Sequence, residues 1–77
     1  MATLSPPIVR NIEWIVNRMH IATTPVELVR DLRFRMRDND HWTKPLRKSA
    51  YRYAIRFHEQ NRQMYRELSA GYFGTEA

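Results

Sequence analysis

The residues best suited to catalysis or metal binding are three histidines, and they are scattered along the chain. His20, His41 and His58 lie on different segments, without the short spacing that brings several ligands to one metal ion. The chain has no cysteine, and no cluster of carboxylates accompanies any histidine. We therefore expect ordinary surface or boundary histidines and no metal site.

The other candidates for catalysis lack the local sequence that their chemistry requires. Gly71 and Gly74 both lie near the C-terminal end, so no glycine-rich phosphate loop precedes a helix. Ser49 and Ser69 lack the strained turn that exposes a nucleophilic serine. The sequence therefore predicts no enzyme, no cofactor and no small-molecule substrate, and it favours a protein that binds another macromolecule.

Positive charge is concentrated in the last third of the chain. The net charge is +5, and residues 44–68 hold seven basic residues against two acidic ones. At about 100° per residue, most of these cations gather on one side of a helix, with Tyr51 among them: Lys44, Lys48, Arg52, Arg62 and Arg66. Such a face is suited to the phosphates of a nucleic acid, and a solvated helix face is the alternative explanation.

Three helices are predicted to position these side chains. Each begins where a hydroxyl residue stands close to a proline, as in Ser5-Pro6, Thr24-Pro25 and Thr43-Lys44-Pro45. The expected bounds are about 6–21, 25–37 and 44–69, with Gly71 ending the last helix, a tail over 70–77 and one domain over 1–77. The predicted fold class is all-α.

Apolar residues at three- and four-residue spacing predict the core. The expected stripes are Ile8, Ile12, Ile15 and Met19; Leu28, Val29, Leu32 and Met36; and Leu46, Ala50, Tyr53, Phe57, Met64 and Leu68. A third helix of about 25 residues is roughly 37 Å long, more than a three-helix core of this size covers. Its C-terminal half is therefore expected to project or to pair.

Residues 12–32 carry the pattern of a helix-turn-helix. If the motif begins at Ile12, the five positions that are normally apolar are Ile15, Met19, Ile21, Val26 and Val29. The stretch from Ile21 to Val26, followed by Leu32, resembles winged-helix repressors of the GntR type, in which Thr-Pro-Val opens the recognition helix. The resemblance covers about twenty residues: Val16 and His20 replace the usual small residue and glycine, and no wing hairpin follows.

Together, this resemblance and the cationic face of the third helix predict a compact three-helix, helix-turn-helix-like domain that binds double-stranded DNA, either sequence-specifically or generally, as a small transcriptional regulator. The second helix would then face the major groove, the turn hydroxyls would position a phosphate, and the third helix would contact the backbone. The predicted DNA-binding residues are Thr23, Thr24, Arg30, Arg33, Arg37, Lys44, Lys48 and Arg52. Pairing of Asp31 with Arg35, and of Glu27 with Arg30, is the alternative explanation for part of the charge on the second helix.

Two aromatic residues do not fit the apolar stripes and favour a rival function. Trp14 is expected to pack under the third helix, whereas Phe34 is expected to be an exposed anchor. The alternative function is a small protein-binding effector, a phage-type inhibitor or adaptor, that engages an acidic host protein through Trp14, Phe34 and Tyr65. A homodimer formed through Phe34, Ile55 and Tyr65, or through Met64, Tyr65 and Leu68 at the end of the third helix, is also left open.

Composition also bears on location. The absence of cysteine favours a reducing compartment, no apolar run has the length of a membrane span, and the start MATLSPP lacks the pattern of a signal peptide. We therefore expect a cytoplasmic protein with no membrane partner.

Overall fold

Three helices begin where a serine or threonine stands close to a proline, as the sequence predicts. These helices are the regular elements of the residues that the structure describes. The computed structural model describes residues 3–38 and 42–73, with α1 at Pro6–Asn17, α2 at Pro25–Arg35 and α3 at Lys44–Phe73. No strand occurs in those ranges. The all-α prediction and the long C-terminal helix are confirmed.

Each helix start is explained by its first few residues. Thr24 forms the complete capping box that its sequence predicts: its hydroxyl accepts from the Glu27 N–H, and the Glu27 carboxylate accepts from the Thr24 N–H. Thr43 Oγ1 accepts from the Leu46 N–H at 3.4 Å at the start of α3. Ser5 makes no side-chain cap, so α1 relies on the fixed φ angle of proline in its first turn.

Two helix ends differ from the predicted bounds. α1 ends at Asn17, four residues before the predicted end, because the Arg18 and Met19 N–H groups bond to carbonyls three residues back. α2 ends at Arg35, close to the expected residue 37. α3 continues through Gly71 to Phe73, since a glycine lowers helix stability by about 1 kcal/mol without forcing an end.

The core consists of one stripe from each helix, as the apolar spacing predicts. Its buried members are Ile12, Ile15, Val16, Leu28, Leu32, Met36, Trp42, Ala50 and Ala54. The two alanines let α1 and α2 approach the α3 backbone closely. Val16, Ala54 and Trp42 were not predicted as core residues. Trp42 lies in the connection before α3 and packs edge-on against Tyr51, with ring centroids 6.2 Å apart.

α3 is longer than the rest of the domain can cover. Contacts of Glu13 with Tyr53 and of Asn17 with Asn61 show that α1 and α3 run in the same direction. Beyond Asn61, Met64 and Leu68 are exposed although both belong to the predicted core stripe. Residues 62–73, which we call the overhang, thus project past the end of α1, as the length of the helix predicts.

Candidate nucleic-acid interface and aromatic groove

One side of α3 carries a row of cations four residues apart. Lys44, Lys48, Arg52 and Arg56, which we call the cation ladder, are all exposed. None of them lies within 4.0 Å of a carboxylate in the part of the chain that the structure describes. Arg56 was not among the predicted binding residues, although its spacing from Arg52 was visible in the sequence. Arg62, also on the predicted face, is half-buried and pairs with Glu59 at 3.5 Å.

The three predicted arginines of α2 have different surroundings. Arg30 and Arg33 are exposed and make no ion pair with the described carboxylates, whereas Arg37 lies 3.9 Å from Asp38. The Arg37 guanidinium also lies over the Phe34 ring, 4.5 Å from its centroid. Of the two predicted intrahelical pairs, the one between Asp31 and Arg35 forms, at 3.2 Å.

The two predicted turn threonines differ in availability. The Thr24 hydroxyl donates to the Glu27 carboxylate at 2.9 Å and accepts from its backbone N–H, so both of its hydrogen-bonding roles serve the helix cap. These bonds to Thr24 lower the pKa of Glu27 below its ordinary value of 4.5. Thr23 lines the surface between α1 and α2. Thr23 is therefore the better placed of the two to contact a ligand.

Removing the cap should destabilise the domain at neutral pH. We predict that Thr24→Ala lowers the free energy of unfolding by about 1 kcal/mol, and that Thr23→Ala, the neighbouring control, has a much smaller effect. Folding lowers the pKa of Glu27, so the stabilisation from its ionised carboxylate is fully present above pH 4.5. That stabilisation is lost as the pH falls through the pKa that Glu27 has in the folded chain. Urea unfolding at pH 7 and pH 3 checks this: the deficit of Thr24→Ala should shrink at pH 3, and an unchanged deficit would contradict it.

A groove lies between α1 and α2, and the exposed aromatic side chain in its lining is Phe34. Its lining includes Ile15, Met19, Arg18, Arg30 and Phe34, and it encloses about 550 Å³. Phe34 is 62% exposed, as predicted. Trp14 is 51% exposed, and the Arg18 guanidinium lies 3.6 Å from the centroid of its ring. The prediction that Trp14 packs under α3 is therefore wrong, because Trp14 stands about 200° around α1 from the buried Ile12.

A polar seam between α1 and α3 was not predicted from the sequence. The Tyr53 hydroxyl donates to the Glu13 carboxylate, and the Asn61 amide donates to Asn17 Oδ1 at 3.0 Å. The buried His58 contacts the His20 carbonyl oxygen through Nε2, at 3.1 Å. The only available signal was the three- and four-residue spacing of positions 13, 17 and 20, which places them on one side of α1 and of the turn after it.

Loss of the tyrosine hydroxyl should weaken this seam. The bond to Glu13 raises the pKa of Tyr53 above its ordinary value of 10.0, so its contribution is present below pH 10 and is lost as the pH rises through the folded value. We predict that Tyr53→Phe costs about 1 kcal/mol at pH 7, because it leaves the carboxylate without its donor. Chemical unfolding measures the cost. Equal stability of Tyr53→Phe and the unaltered chain would contradict the prediction.

The five helix-turn-helix positions are not equally buried. Ile15 is buried, Met19 and Val29 are partly buried against the core, and Ile21 is half-buried. Val26 is 68% exposed. No residue in the described ranges has a positive φ, so the turn at His20 does not use the left-handed backbone that the usual glycine favours. Instead, the His20 ring accepts from the Ala22 N–H at 3.0 Å.

Within residues 3–38 and 42–73, no helix has both the length and the apolar character needed to cross a membrane, and no group of three His, Asp or Glu residues could hold a metal ion. Comparisons with protein-family models, curated proteins and solved structures found no match to this chain. The side chains described above are therefore the basis on which a function is proposed.

Proposed function

We propose that this chain binds double-stranded DNA through the cation ladder and the outward side of α2, and that it acts as a small regulator of transcription. The observation that carries the proposal is the first half of α3. Residues 44–58 contain five Lys and Arg residues and no Asp or Glu. The four members of the ladder are exposed and have no carboxylate within 4.0 Å among the described residues.

The charge density of the ladder suits a duplex. From Lys44 to Arg56 the ladder extends about 18 Å along the helix axis. Double-stranded DNA carries one negative charge per roughly 1.7 Å of its axis, so about ten phosphates lie along that length. Cations without protein partners neutralise phosphates and release counterions, which favours binding most strongly at low salt.

The outward side of α2 supplies side chains suited to base edges. Val26, Arg30 and Arg33 are exposed on it. Guanidinium groups match the acceptors of guanine, and an apolar side chain such as valine matches the thymine methyl group. The resemblance of residues 12–32 to a helix-turn-helix also favours placing α2 in the major groove, although Val26, one of its five apolar positions, is exposed here.

A salt titration tests the proposal directly. The purified chain is titrated against a labelled random-sequence duplex at roughly 50 and 200 mM salt. We expect micromolar binding at the lower salt and a loss of affinity of about two to three orders of magnitude at the higher. Absence of binding at the lower salt would rule the proposal out.

A second candidate function is favoured by the groove between α1 and α2. Phe34, which lines the groove, is 62% exposed, and Trp14, which is 51% exposed, stacks against Arg18, another lining residue. Exposed large aromatic side chains of this kind are typical of interaction sites. Such anchors, with Arg18 and Arg30 beside them, suit an acidic protein partner.

The two functions respond differently to single substitutions. If α2 binds DNA, Arg33→Gln should weaken binding to the duplex severalfold, and Phe34→Ala should leave it within about twofold. If the chain instead binds only a protein, the unaltered chain should not bind the duplex, and neither substitution should have a measurable effect. Fluorescence anisotropy with the same labelled duplex distinguishes these outcomes.

A further inference from the structure

We infer that the overhang of α3 is the surface through which two copies of this chain associate, each covering an apolar groove on the other. The overhang exposes Met64, Tyr65 and Leu68 by 59%, 53% and 60%. These are three of the seven large hydrophobic side chains that are exposed in the described residues, and they lie within five positions of one another. This inference is independent of DNA binding.

The exposed side chains continue the face of α3 that packs into the core. Ala50, Ala54 and His58 are buried on this face, and Asn61 contacts α1 at its edge. One and two turns farther on, the same face has no described side chain packed over it. An apolar helix stripe of this kind is stable in water when another surface covers it.

The end of α1 and the turn after it complete a groove beside the overhang. Val16, Met19 and Ile21 form one wall of this groove, and Met64, Tyr65 and Leu68 form the other, with His58 and Asn61 between them. The groove encloses about 300 Å³ and is open to solvent. Its shape and apolar walls suit a helix with side chains like those of the overhang itself.

The charge along α3 favours a second copy as the occupant. Residues 44–58 hold five basic residues and no acidic one, whereas the overhang holds Arg62 and Arg66 against Glu67, a net charge of +1, and Arg62 is paired with Glu59. Two chains of net charge +5 repel each other, and the overhang is where they can meet with the least repulsion. An acidic partner would instead be drawn to the cation ladder.

If a twofold axis crosses the overhang, the groove of each copy is filled by the overhang of the other. With the two overhangs antiparallel, Met64 and Leu68 of each copy lie in the groove of the other, and the two ladders point away from each other. A closed, isologous dimer of this kind uses one surface twice and leaves no unpaired groove.

Sedimentation equilibrium of the chain alone, from about 1 to 200 μM and without DNA, tests the inference. We expect a monomer–dimer equilibrium that Met64→Gln/Leu68→Gln weakens by at least about tenfold. The matched control, Val26→Gln/Ile55→Gln, removes two exposed apolar side chains elsewhere and should leave the equilibrium unchanged. Helical circular dichroism confirms that both variants are folded. A monomer at every concentration, or an equal loss in the control, would overturn the inference.

Disulfide trapping identifies the surface. The chain has no cysteine, so Leu68→Cys introduces a single thiol. Under mild oxidation Leu68→Cys should form a covalent dimer quickly at concentrations where the chain associates, and Ile55→Cys, on the opposite side of α3, should not. Self-association in which both variants cross-link at the same slow rate would place the contact elsewhere and overturn the inference. Because no DNA is present, these outcomes are separate from those of the salt titration.

Discussion

Leu28→Ala should abolish cooperative folding or lower the melting temperature by tens of degrees. The Leu28 side chain is fully buried between the helices, with 0% exposure. Truncating a buried leucine costs about 2–5 kcal/mol, because contacts are lost and a cavity remains. A domain of this size has a total stability on the order of 5 kcal/mol, so the loss is comparable with the whole. Thermal unfolding followed by circular dichroism measures it.

Val26→Ala is the matched control on the same helix. Val26 is 68% exposed, so its truncation should change the stability by less than about 0.5 kcal/mol. The comparison also tests how α2 is rotated about its axis. In a standard helix-turn-helix the position of Val26 is apolar because it is buried. Equal losses from Val26→Ala and Leu28→Ala would therefore contradict the orientation of α2 described above.

Neutralising three members of the cation ladder should lower duplex affinity by about two orders of magnitude at low salt. The variant Lys44→Gln/Lys48→Gln/Arg52→Gln removes three charges that have no described carboxylate partner. Each lost phosphate contact reduces the slope of log affinity against log salt by about 0.9, so the slope should fall by roughly 2.7. Anisotropy titrations at several salt concentrations measure both quantities.

A control variant with the same change in net charge distinguishes direct phosphate contacts of the ladder from the long-range attraction of the whole protein. Arg10→Gln/Arg18→Gln/Arg35→Gln also removes three positive charges, at sites outside the ladder and outside the outward side of α2. It should reduce affinity severalfold, through weaker long-range attraction, with a much smaller change of slope. If both triple variants lose the same slope, the chain binds polyanions by net charge, and the ladder is not the contact surface.

Local interactions explain why much of the fold was predictable. The segment Thr24-Pro25-Val26-Glu27 has the sequence of a capping box, and helical spacing alone is enough to predict the apolar stripes of α1 and α2. The end of α1 was not predictable from such rules. Ile21 continues the apolar spacing, but the chain turns before it, where the His20 carbonyl oxygen meets His58 from α3. That contact joins residues far apart in the sequence.

The candidate site was harder to predict because exposure depends on tertiary packing. The exposed Phe34 follows from its position opposite Leu32, and the ladder follows from four-residue spacing. Trp14 has a similar off-stripe position, but it does not pack under α3 as predicted; it is half exposed, and the Arg18 guanidinium stacks on its ring. The contacts of Glu13 and Asn17 with α3 could not be inferred, because the spacing of polar residues on a helix does not indicate which residues they contact.

Because α3 is one uninterrupted helix, it fixes the distance between the cation ladder and the overhang. The centre of the ladder, near residue 50, lies about 15 residues from Tyr65, or roughly 22 Å along the helix. Two copies joined tail to tail would therefore hold their ladders up to about 45 Å apart, somewhat more than the roughly 35 Å of one duplex turn. A dimer of this kind would therefore favour half-sites whose centres are one turn of the duplex apart or slightly more.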